Sequence, residues 1–141
     1  MKKFFTLLCM ALLSAVGFAQ DAYDPSEHTA FVSGTANMCA VNEEGKGWQA
    51  SDAMTFNSTT QKWEITLQAK DTKVIEFKIV YDGVWYGKEG NNYQFQVTEA
   101  SDVLITFDPL TLTATYSGTK VIEYDPNRIE FVIVAGSPGL L

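Results

Sequence analysis

The densest run of residues suited to holding a ligand is "YDGVWYGKEGNNY", from Tyr81 to Tyr93. It is rich in Tyr, Trp, Asn and Gly, and Trp85 follows directly on a turn signal. An aromatic ring held on a loop offers an apolar plane to the C–H face of a sugar, while a polar rim of Asn, Lys and Glu side chains binds its hydroxyls. The same residues suit a second role, in which Trp85 and Tyr86 plug the end of a folded domain. The sequence leaves both open. Trp48, in "GKGWQASDAM", is a second candidate for ligand contact, with anchoring of its own loop as the alternative. Trp63 alternates with Ile65 and Leu67 and is expected in the core.

Catalytic chemistry is harder to assemble. The chain holds a single histidine, His28, which falls in a polar stretch and has no nucleophile paired with it in the sequence. Carboxylates are plentiful, but nothing marks two of them as a glycosidase pair facing across a cleft. No glycine-rich phosphate loop opens a helix. The acids of "DAYD" lack the spacing of a calcium loop. The expectation is a non-enzymatic domain with no metal and no cofactor.

The elements that must position these residues read as strands. "HTAFVSG" is a short strand ending at Gly34, and "ANMCAVNEEGKGWQASDA" is a long irregular loop. "KWEITLQA" alternates, as does "TKVIEFKIVYDGVW", where Ile75, Phe77, Ile79 and Tyr81 share one face and Glu76 and Lys78 the other. Asp82-Gly83 is a strong turn dipeptide. "YQFQVTE" places Tyr93, Phe95 and Val97 on one side. "DVLITFDPLTLTATYS" reads as a hairpin with arms Val103–Phe107 and Leu112–Tyr116 about the turn Asp108-Pro109-Leu110-Thr111. Six or seven short strands, with turn signals about every ten residues, predict an all-β antiparallel β-sandwich of about a hundred residues.

Composition sets the surroundings. "MKKFFTLLCMALLSAVGFAQ", residues 1–20, has a basic start, an apolar middle and small residues near Ala19, the pattern of a secretory signal peptide. The run is short for a membrane span. Cys9 follows Leu7-Leu8 rather than the small residue that precedes a lipidated cysteine. A secreted, periplasmic or cell-surface location is expected. Removing that segment takes away Lys2 and Lys3 and no acid, leaving eight basic against seventeen acidic residues, a net charge of −9. Such a balance disfavours nucleic acid and anionic membrane as partners and suits a neutral one. Cys39 is then the sole cysteine, so the core must hold without an internal disulfide, and Cys39 is expected as a small buried hydrophobe.

The order "FVSGTANMC", "GWQASDAMTFN", "KWEITL", "IEFKIVYDGVWYG", "NNYQFQV", "SDVLITFDPLTLTATY" resembles the immunoglobulin-like early-set modules in the N-terminal parts of bacterial pullulanases and related amylases. Starch-binding outer-membrane proteins of gut bacteria carry similar modules. The likeness covers about residues 28 to 118 and rests on Trp48, Met54, Trp63, Phe77, Lys78, Gly83, Trp85, Phe107, Asp108 and Thr111. The loop between Cys39 and Trp48 departs from the usual Gly-x-x-W-x-P form. The resemblance implies an α-glucan ligand. Trp85, with Tyr86 or Tyr81, would stack on a glucose ring, and Lys78, Asn91 and Asn92 would bind hydroxyls, with Trp48 a further contact.

Two flanking segments complete the reading. Residues 21–27 and 119–128 are polar and contain proline, and are expected as linkers. "IVAGSPGLL" aligns with "FVSGTANMC", Gly136 against Gly34, so residues 129–141 are expected to begin a second, truncated module. The reading is therefore an α-glucan-binding module, the N-terminal part of a larger starch-active protein with a tandem module, and a catalytic domain beyond Leu141 is compatible with it. The alternatives are a structural spacer ahead of a glycoside hydrolase domain and a protein-binding adhesin-type sandwich.

Overall fold

A computed structural model of the chain describes residues 22–40, 48–49 and 52–128. The signal peptide read in residues 1–20 and the module start read in residues 129–141 lie outside the described residues. After a single 3-10 turn at Pro25–Glu27, the described chain forms ten strands: β1 (Ala30–Gly34), β2 (Asp52–Ala53), β3 (Thr55–Asn57), β4 (Lys62–Ala69), β5 (Ile75–Tyr81), β6 (Val84–Tyr86), β7 (Tyr93–Val97), β8 (Ser101–Asp108), β9 (Thr113–Ser117) and β10 (Val121–Glu123).

The strands make two antiparallel sheets. One has the order β10-β7-β5-β1-β2, with β6 beside the upper half of β5, and the other the order β3-β4-β8-β9. The fold is an all-β antiparallel sandwich. Period-two alternation aims one face of each strand inward. In β5, Ile75, Phe77 and Ile79 are fully buried, and Tyr81 nearly so. In β8, Val103, Ile105 and Phe107 are fully buried. Phe95 and Val97 of β7, Val32 of β1, and Trp63 and Leu67 of β4 complete the core with Met38 and Cys39. Cys39 is buried, as its apolar character predicts.

More strands form than the six or seven legible in the sequence, because β2, β3, β6 and β10 are two or three residues long and too short to show a period. The chain changes sheet between β2 and β3 at Met54, whose N–H donates to the Ala30 carbonyl at 2.9 Å. Residues 119–128, expected as a linker, contribute β10, which pairs Val121 with Val97 and Glu123 with Phe95. Within this otherwise polar stretch the strand itself is Val121-Ile122-Glu123, and Val121 packs against the core.

Residues 21–27, also expected as a linker, include a docked tyrosine. The Tyr23 hydroxyl accepts from the Trp63 indole N–H at 2.8 Å and shares a 2.8 Å hydrogen bond with the Tyr81 hydroxyl. Its ring stacks on His28 with centroids 4.8 Å apart, and His28 lies over Tyr81 at 5.4 Å. His28, the chain's single histidine, is half-buried and held by Asp82 at 2.6 Å.

Candidate functional site

The site begins with β6, a three-residue strand clipped between two tight turns. Asp82 and Gly83 (φ 48° and 79°) join β5 to β6, and Glu89 and Gly90 (φ 52° and 84°) lie between β6 and β7. Two consecutive positive φ values define type I′ turns, whose twist matches that of paired strands. The second turn is closed by Lys88 N–H to Asn91 O at 2.8 Å and Asn91 N–H to Lys88 O at 2.9 Å. Gly87 is required between them for space: a Cβ there would overlap the Asn91 carbonyl oxygen and press on the Lys78 Cε.

Alternation along β6 decides which aromatic ring meets solvent. Ile79 pairs with Tyr86 and Val80 with Trp85. Ile79 belongs to the core, so Tyr86 turns inward and Trp85 outward. Tyr86 is half-buried, with its ring 6.0 Å from that of Phe107. Trp85 is 46% exposed on the outer face of the sheet. Lys78, two residues before Val80 on the same strand, shares that outer face, and its stem reaches Gly87. The structure therefore brings together Trp85, Lys78 and the Asn91 main chain. Asn91 is exposed and Asn92 half-buried, just before β7.

Three sequence-derived candidates lie elsewhere. Tyr81 is 8% exposed, 5.2 Å from Phe107 by ring centroid, and hydrogen-bonded to Tyr23. Burial, and then the Tyr23 hydrogen bond, hold its phenol well above the ordinary tyrosine range. It is a core residue, not a sugar platform. Tyr86 is turned away from Trp85 by one step of the strand. Trp48 sits past the far end of β1, in left-handed backbone (φ 69°), its N–H donating to the Gly34 carbonyl at 3.0 Å. No ring contact joins it to Trp85.

Concave surface lies elsewhere too. A groove of about 430 Å³ opens between the sheets, lined by Gly87, Lys88, Tyr93, Ala114, Tyr116 and Glu123. Tyr93 accepts the Ala114 N–H at 2.9 Å, and Tyr116 donates to the Glu123 carboxylate at 3.0 Å. Burial, then that carboxylate, pushes the Tyr116 phenol up to about 12. A second groove of about 590 Å³ lies beside the short strand β3, against Glu64, Thr66 and Leu104. Neither includes Trp85. Among the described residues no group of three His, Cys, Asp or Glu side chains is gathered to hold a metal ion, and no helix is long and apolar enough to cross a membrane. No protein-family model matches the chain, and no curated protein matches it.

Proposed function

We propose that this sandwich is a non-catalytic carbohydrate-binding module of a secreted or cell-surface protein, with α-glucan as its ligand. The observation that carries the reading is Trp85, a large aromatic ring 46% exposed on a sheet face, held between two type I′ turns with Lys78 beside it. Neither side chain has a polar partner among the described residues, so the indole N–H and the ammonium are both available to hydroxyl groups. Short turns fix the main chain that carries the ring, so only its side-chain torsions are left to order when a sugar stacks on it, which favours useful affinity from a small contact. The net negative charge supports a neutral ligand over a polyanion. The α-glucan assignment comes from the resemblance to pullulanase and starch-binding modules. A single site of this kind binds weakly, and linkage to further modules would raise affinity through effective concentration.

The test is native electrophoresis through gels containing soluble starch. The chain is expected to be retarded, and Trp85→Ala to migrate as if no starch were present. Equal retardation of both proteins overturns the site. Failure of the parent chain to be retarded favours a structural spacer.

A further inference from the structure

The outer face that carries Trp85 also carries a file of apolar residues running across the strands. Ala53 pairs with Phe31 between β2 and β1, Phe31 with Val80 between β1 and β5, and Val80 with Trp85 between β5 and β6. Directly paired residues of antiparallel strands project from the same face. Val32 and Ile79, next in sequence to Phe31 and Val80, are fully buried in the core, so the file lies on the opposite side. Val80 is 6% exposed although it faces outward, and it forms a floor between two larger neighbours. Phe31 is half-buried. Polar groups border the file on both sides. On one side the border is Lys78, whose cross-strand partner Ser33 is fully buried. On the other, Asp82 accepts the Thr29 N–H at 2.9 Å and holds His28.

We infer that this file is the track of a linear glucan lying at right angles to the strands. One glucose unit stacks on Trp85, the next passes over Val80, and a third meets Phe31. Neighbouring strands lie about 4.8 Å apart, so Trp85 and Phe31, two strands apart, are separated by roughly 10 Å. That separation matches two glycosidic linkages of an extended chain. The track rests on the carbohydrate-binding reading, and it adds Phe31 as a second contact and three units as the shortest full ligand. Lys78 reaches the hydroxyl edge of the chain on one flank, and the Asp82 end of the β5–β6 turn borders the other.

The experiment is titration of the chain with maltose, maltotriose and maltotetraose, read by isothermal calorimetry. Affinity is expected to rise about tenfold from two units to three, the scale of one added aromatic contact, and to level off after that. Phe31→Ala removes the rise and leaves maltose binding as it was, while Trp85→Ala removes binding of all three. Because Phe31 is half-buried, Phe31→Leu is measured too. It fills the same space without the flat ring, and the same loss of the length dependence is expected. In the unaltered chain, the amide resonances of Phe31 and Ala53 should shift with maltotriose and not with maltose. If Trp85→Ala abolishes binding while both Phe31 variants keep the length dependence and those amides stay still, the track is wrong and a single stacking site remains. If the parent chain binds none of the three sugars, the carbohydrate reading itself falls. Tighter binding of a β-1,4-linked trisaccharide with the same Phe31 dependence supports the track and overturns the α-linkage.

Discussion

Asp82 occupies the first central position of the β5–β6 turn, in left-handed backbone that Asp and Asn tolerate better than most residues. Its carboxylate accepts from the Thr29 N–H at 2.9 Å and contacts the His28 ring at 2.6 Å. Burial pushes its pKa upward, but the hydrogen bonds from His28 and Thr29 outweigh this and hold it below the ordinary carboxylate value. A carboxylate depressed in the folded state contributes stability above the unfolded pKa of about 3.9, and that contribution disappears as pH falls through the folded value. Asp82→Asn keeps the backbone preference and removes the charge. Its melting temperature should fall below the parent's at pH 7 and converge with it as the pH drops toward about 2, in circular dichroism melts across that range. How far single residues were legible from sequence varied with the range of their contacts. The Asp-Gly turn is a local signal and was plain. Tyr81 shares its alternation with Phe77 and Ile79, so the period that located the strand already placed it inside, against its role as a sugar contact. Trp85 left both roles open because its orientation depends on pairing with Val80, which a three-residue strand does not reveal.

The same device recurs in two pairs of hairpins. Besides the two type I′ turns flanking β6, the β3–β4 and β8–β9 connections share one construction. Asn57 and Asp108 each accept a backbone N–H two residues on, and Gln61 and Leu112 each return to the strand in left-handed backbone with an N–H to that first residue's carbonyl. The second of these was legible from "DPLT". The Glu89-Gly90 turn was not, because a glutamate at positive φ is uncommon and gives no signal of its own. β10 escaped because three residues are too few to show a period, although Val121 packs against the core. The connection from β6 to β7 is the most constrained of these elements. In Gly87→Ala the new methyl meets main-chain oxygen rather than a flexible side chain, so the turn itself must move. That variant should lose about 1–3 kcal/mol in urea unfolding, the usual cost of overpacking. It should also be retarded less by starch than the parent, since Trp85 and Lys78 rest on the displaced connection.

The molecule holds its two sheets together by packing, with aromatic rings crossing the gap between them. Tyr116 of β9 stacks on Phe95 of β7 at 4.7 Å, and Tyr81 of β5 lies 5.2 Å from Phe107 of β8. Tyr23 closes one end, its hydroxyl joined to Tyr81 in one sheet and Trp63 in the other. These partners are 58 and 40 residues away in sequence, which is why a segment of polar composition read as a linker. Tyr23→Phe leaves the Trp63 indole N–H without its acceptor in a buried setting and should lower stability by about 1–3 kcal/mol, seen as a lower urea midpoint with an unchanged slope. The sandwich class itself was legible throughout, because alternation and turn spacing are properties of the whole chain rather than of any one contact. The clipped strand β6 carries its meaning into time. A ring carried on an already formed strand leaves no slow main-chain rearrangement to follow first encounter, so, on the carbohydrate-binding proposal, sugars of different length should arrive at similar rates and differ in how long they stay.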